Sequence, residues 1–147
     1  IRFELMSATS SIIALTHDII LTLGIIVAAN VTFDLTVLAA LLTVVGYSLN
    51  DKIVIFDRIR ERSRIDEHKQ LMESINISIN ETLSRTILTS TSTLLAVISL
   101  AVFGGEVIKG FAVVMIAGII IGTYSSIGIA SSLVYNIKMI KGKKTVK

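Results

Sequence analysis

The chain has 147 residues, of which 52% are hydrophobic and 17% charged, and a net charge of +3; its mean hydropathy is +0.79. Soluble domains are roughly 45–50% apolar and about 25% charged, and a chain this short has too little interior to hide the surplus, so the composition argues for a bilayer and against an ordinary cytosolic enzyme. Cys and Pro are both absent, which removes thiolate metal sites, Cys nucleophiles and disulfides and favours uninterrupted helices. The opening Ile-Arg-Phe-Glu has no initiator Met and no leader-like pattern, so the chain reads as part of a longer polypeptide.

Four stretches, residues 8–29, 35–56, 83–103 and 111–135, are each apolar enough, and at about 1.5 Å per residue long enough, to cross a hydrocarbon core about 30 Å thick. Ile116 to Ile121 is apolar at consecutive positions, against the alternation of a transmembrane strand. The predicted class is all-α, a polytopic membrane bundle of four transmembrane helices plus one interfacial amphipathic helix.

The cations set the predicted orientation. Arg2, Arg58, Arg60, Arg62, Arg64, Lys69 and the tail residues Lys138, Lys141, Lys143, Lys144 and Lys147 fall on one side, whereas the opposite loops contribute only Lys109. Lys and Arg in short loops stay cytoplasmic, so both ends of this chain are expected there. No aromatic residues interleave these cations, and topology already accounts for them, so nucleic acid is not an expected partner.

Between the second and third spans, residues 57–82 carry charge early and then Leu71, Met72, Ile75, Ile79 and Leu83 at intervals of three and four. This spacing makes one apolar face and predicts a helix lying in the cytoplasmic interface. Ile75, Ile77 and Ile79 also fit strand alternation.

Ionisable groups inside the spans carry the functional reading. A charge at the bilayer centre costs about 2.5–3.5 kcal/mol on insertion scales, so such groups face protein or water and pair. Span one holds His17 and Asp18; span two holds Asn50, Asp51 and Lys52, with Asp57 and Arg58 at its inner edge. Asp51 lies five residues before Phe56, and Arg85 two after Leu83, so both fall within about 10 Å of the same membrane face. An Asp and an Arg at one depth serve either as a proton relay, the Arg moving near and far, or as a fixed ion pair fastening two helices, or the Arg simply snorkels to the headgroups. Lys52 points about 100° away from Asp51 around the helix; it either snorkels inward or stabilises the Asp51 anion. Adjacent helical residues do not face each other, so His17 and Asp18 need not act as a pair, and His17 is open to a proton-shuttle and a structural reading alike.

The hydroxyls Thr86, Thr89, Ser90, Thr91, Ser92 and Thr93 either line a wet path or bond back to the preceding turn. Gly118, Gly122 and Ser126 form a small-residue ridge suited to close helix packing. His-Glu-x-x-His is missing, Gly104-Gly105 lacks a phosphate-loop lysine, and the Gly122–Gly128 run lacks the strand-turn-helix setting of a nucleophile elbow, so no catalytic residue, metal ligand or cofactor is expected.

The run Val45-Gly46-Tyr47-Ser48-Leu49-Asn50-Asp51, continuing through Phe56-Asp57-Arg58-Ile59-Arg60-Glu61, closely resembles the motif of the SecF family of protein-export membrane subunits in the RND superfamily. Ala14-Leu15-Thr16-His17-Asp18, Thr82-Leu83-Ser84-Arg85-Thr86, Phe103-Gly104-Gly105 and Gly122-Thr123-Tyr124-Ser125-Ser126 resemble further segments of that family, in order along the chain. The resemblance implies spans three to six of a six-span subunit, without its first two spans and periplasmic domain. It implies a place in the bacterial cytoplasmic (inner) membrane, with a SecD-like subunit, the Sec translocon channel, an exported preprotein and the lipid bilayer as partners. It also implies coupling of the proton motive force to export, with Asp51 and Arg85 in the proton path.

Three positions depart from the family pattern: Leu5 stands where Trp is usual, Lys52 where a small hydroxyl residue is usual, and Thr91 where Gly is common. A fixed cation beside Asp51 would hold it ionised. The other expectations left standing are a small-molecule or lipid porter of the same superfamily and a non-conducting assembly scaffold.

Overall fold

Helix dominates because nothing interrupts it: the only backbone positions with positive φ among the described residues are Asn30 and Gly105, one in each tight connection between helices. A computed structural model describes residues 2–65 and 71–133. It places α1 at Arg2–Ala28, α2 at Leu35–Ile65, α3 at Leu71–Phe103 and α4 at Glu106–Tyr124, the last continued by a π-helical stretch at Ser125–Ala130. All four helices are long and apolar enough to cross a membrane. Lys69, the tail lysines from Lys138 to Lys147, and residues 134–135 of the predicted fourth span lie outside the described residues.

α1 ends in a Schellman motif. The Val31 N–H donates to the Ile26 carbonyl at 3.0 Å and the Asn30 N–H to the Val27 carbonyl at 3.1 Å, while Asn30 takes the left-handed conformation, φ 51°, that this motif places just past the helix. α2 starts at Leu35 with Asp34 as its N-cap, the carboxylate accepting from the Val37 N–H at 2.8 Å and the Thr36 hydroxyl at 2.7 Å. Gly105, at φ 74°, turns the chain from α3 into α4, a conformation in which a side chain is strained.

The described parts of the amphipathic segment, 57–65 and 71–82, are helical, not strand, and belong to α2 and α3 rather than to a separate interfacial helix. α2 runs on to Ile65 and α3 begins at Leu71, so the segment extends two spanning helices beyond their apolar parts. The reason is local: no Gly or Pro stands between Leu71 and Phe103, and a change from charged to apolar composition does not by itself break a helix.

α2 and α4 pack along each other at the centre, and α1 and α3 each rest on both. A side chain at Gly118 would collide with Val44, and a Cβ at Gly122 would lie 3.1 Å from Ser48 Oγ, so α2 and α4 run parallel and close through this notch. The apolar interior is split. Ile26, Val37, Ala40, Val44, Val97, Ala112, Val114, Met115 and Ile119 fill the end near the tight connections. Ala14, Ile55, Phe56, Ile59 and Ile75 fill the charged end. Between the two clusters lies a polar layer.

Candidate functional site

The polar layer is built from the middle turns of α1 and α2 and the start of the π-helical stretch. Asp18, Thr22, Ser48, Asp51, Lys52, Ser125 and Ser126 are all buried. Ser48 and Lys52 are one helical turn apart and share the face of α2 turned to α1. There the Asp18 carboxylate accepts from the Ser48 hydroxyl at 2.6 Å and from Lys52 Nζ at 2.7 Å. Lys52 Nζ also donates to Ser48 Oγ and, at 3.4 Å, to the Ser48 carbonyl. Lys52 is fully enclosed and Asp18 is 1% exposed, so neither charge is satisfied by solvent and each depends on the other.

The close approach of α4 makes room for this arrangement, because a side chain at position 122 would press on Ser48. Thr22, one turn beyond Asp18, returns its hydroxyl to the Asp18 carbonyl at 2.7 Å. His17, half-buried at the edge, places Nδ1 3.2 Å from Asp18 Oδ1, so these neighbours do meet: the short Asp side chain bends toward the ring although the two Cβ positions diverge. The π-helical stretch brings buried Ser125 toward the same carboxylate, with its hydroxyl left without a hydrogen-bond partner. Single π turns of this kind recur at functional sites.

Asp51 lies on α2 and Arg85 on α3. They form no ion pair: the Asp51 side chain is 5% exposed and its Oδ2 is buried without a hydrogen-bond partner. Among the described residues, Lys52 and Arg85 are the cations within electrostatic reach of it. Arg85 is exposed on α3 and borders a crevice of about 410 Å³ between α2 and α3, with Val54, Asp57, Glu61, Glu81 and Thr82 among the other walls. Val54 is one turn from Asp51, so this crevice brings the charged end of the bundle close to the buried carboxylate.

The remaining motif residues lie around this layer. Asn50 and Gly46 are exposed on the outer side of α2, and a Cβ at Gly46 would meet nothing. Asp57 and Glu61 are exposed on the charged extension of α2. Arg58 donates to Glu81 at 2.6 Å and also bonds Glu61, and Arg62 joins the same Glu81 carboxylate, tying α2 to α3. Arg60 borders an apolar groove with Ser7, Ile53 and Phe56. Ser126 returns its hydroxyl to the Gly122 carbonyl at 2.7 Å.

Two arrangements escaped the sequence reading. One is the Asp18–Ser48–Lys52 cluster, for which the only available signal was equal depth in neighbouring antiparallel spans. The other is a hydroxyl chain across three helices, Tyr47 Oη donating to Ser90 Oγ at 3.1 Å and Ser90 meeting Thr123 Oγ1 at 2.8 Å. Thr123 also bonds the Ile119 carbonyl, so the chain fastens α2, α3 and α4 one turn from the charged layer. Thr89 and Thr93 bond back to their own helix.

The family described as Protein export membrane protein SecD/SecF, C-terminal, matches residues 1–140. The chain is 57% identical over 143 residues to the protein translocase subunit SecF of Calditerrivibrio nitroreducens, covering 96% of this chain and 47% of that one. To SecF of Pseudomonas aeruginosa it is 53% identical over 130 residues, covering 88% and 42%. It is also similar to a crystal structure of SecDF in a super-membrane-facing form, with TM-score 0.93 and 42% identity, over 99% of this chain and 20% of that one. A crystal structure of SecDF from Thermus thermophilus, described as a translocon-associated membrane protein, gives TM-score 0.88 and 44% identity over 93% and 19%. The chain spans about half the length of the SecF relatives it matches. It belongs to the SecD/SecF C-terminal family of protein export membrane proteins.

Proposed function

We propose that this chain is the C-terminal membrane half of a SecF-like auxiliary subunit of the Sec translocase, coupling proton movement to preprotein export with Asp51 as proton acceptor and Arg85 as its switchable counter-ion. Asp51 Oδ2, buried without a hydrogen-bond partner one turn from a crevice bordered by Arg85, carries this reading. A protonated Asp51 needs no counter-charge in that position, whereas an ionised one draws a cation toward it. Protonation and release therefore favour different positions of Arg85, and hence of α3 against α2. A proton crossing the membrane supplies about 2.3 kcal/mol per 100 mV, enough to bias two such arrangements.

The charged end, with Arg58, Arg60 and Arg62, is assigned to the cytoplasm and the membrane to the bacterial inner membrane. A SecD-like subunit, the translocon channel and the exported preprotein are the partners, and the bilayer is the solvent. The test uses the full-length subunit with its SecD-like partner in membrane vesicles, comparing export with and without an imposed proton gradient. Asp51→Asn is expected to abolish the gradient-dependent part while the complex still assembles. Gradient-dependent export equal to wild type contradicts the reading, and repeating the assay with a sodium gradient identifies the coupling ion.

A further inference from the structure

We infer that Asp18 and Ser48 are positioning residues that hold the Lys52 ammonium away from Asp51, leaving Asp51 free to accept a proton. The functional meaning rests on Asp51 being the proton acceptor, but the arrangement is independent of it. Lys52 follows Asp51 directly in sequence, and a free cation there would settle on the nearest carboxylate and keep it ionised. Instead Lys52 Nζ is engaged by Asp18 Oδ2 at 2.7 Å, by Ser48 Oγ and by the Ser48 carbonyl, while Asp51 Oδ2 bonds nothing.

Among the described residues, the surrounding groups leave Lys52 these two destinations. α1 presents Asp18, with His17 on its other oxygen; α3 presents Arg85; the π-helical stretch contributes the buried hydroxyls of Ser125 and Ser126 and no charge. Ser48 orients the ammonium because it donates to Asp18 while accepting from Lys52. Within this chain, a lysine at position 52 is compatible with a titrating Asp51 because α1 supplies a carboxylate of its own.

The test reads the Asp51 carboxyl group directly. Dicyclohexylcarbodiimide modifies buried carboxyl groups in their protonated form, and the extent at Asp51 is measured by peptide mass analysis on the full-length subunit in complex with its partner, at one fixed pH. Asp18→Asn releases Lys52 toward Asp51, and modification of Asp51 is expected to fall about tenfold, the size of effect a close opposite charge has on a carboxylate. Adding Lys52→Thr to Asp18→Asn restores it. Ser48→Ala, alone and with Lys52→Thr, gives the same fall and recovery at smaller size, and stands in if Asp18→Asn does not accumulate. Modification that stays at the wild-type level in Asp18→Asn and Ser48→Ala, or stays low after Lys52→Thr is added, overturns the inference. Since this readout needs no export, it separates failure of the positioning role from failure of the proposed coupling.

Discussion

Lys52 and Asp18 lie 34 positions apart and meet through a 2.7 Å ion pair closed off from solvent on every side. The two ends of that pair are not equivalent. Lys52 has a second carboxylate in reach at Asp51, whereas among the described titratable residues Asp18 touches only His17 besides Lys52. Lys52→Met therefore leaves Asp18 stranded and costs about 3–5 kcal/mol, the range for removing one partner of a buried pair. Asp18→Asn costs less, because Lys52 turns to Asp51. Reversible unfolding in mild detergent checks the order of the two; an equal or reversed order contradicts it.

The α2–α4 notch makes a prediction about glycines. A Cβ at Gly118 collides with Val44, and Gly118→Ala is expected to destabilise by about 1–3 kcal/mol, as overpacking does. Gly24→Ala is the control: nothing lies within 4 Å of its Cβ, and replacing Gly in a helix by Ala adds about 0.5–1 kcal/mol of stability. The pair of variants should move the unfolding midpoint in opposite directions.

Glu81 is the shared acceptor of Arg58 and Arg62. These groups are partly exposed, so salt screens them. Glu81→Gln is expected to raise amide hydrogen exchange over residues 72–82 at low salt, to leave residues 94–103 unchanged, and to lose its effect at high salt. A uniform rise along α3 would contradict a local tie.

Asp34 supplies a pH-dependent cap. The Thr36 hydroxyl, and after it the Val37 N–H, hold its carboxyl below the ordinary carboxylate value. A carboxylate lowered in the folded state stabilises it above the unfolded value, about 3.9, and that contribution is lost as pH falls through the lower folded value. Protection of the Val37 amide should therefore weaken only under acid conditions in the wild type. Asp34→Asn, which keeps an acceptor oxygen but does not titrate, should remove that pH dependence.

What the sequence made legible follows from what periodicity encodes. Hydropathy locates four spans because lipid demands long apolar helices, and the interval of Gly118, Gly122 and Ser126 marks a ridge of small residues. Neither says which helix lies opposite; Val44 and Ser48 of α2 do. Asp51 and Arg85 were drawn as a pair from depth and from the family motifs, but depth leaves rotation about the helix axis undetermined. The structure turns Arg85 to the crevice and gives the ion pair to Lys52 and Asp18 instead. The spacing of Leu71, Met72, Ile75, Ile79 and Leu83 suggested a helix lying in the interface, yet an apolar stripe reports the surroundings of a helix and not where it begins or ends. The π-helical stretch at Ser125–Ala130, which packs against α1 and α2, has no counterpart in composition or spacing.

Proton flux through the reconstituted full-length subunit and its SecD-like partner, followed with a pH-sensitive dye trapped in proteoliposomes under an imposed potential, tests the central claim most directly. Flux that is present in the wild type and absent in an equally assembled Asp51→Asn complex is the predicted result. Equal flux in both would contradict the assignment of Asp51 as the proton acceptor.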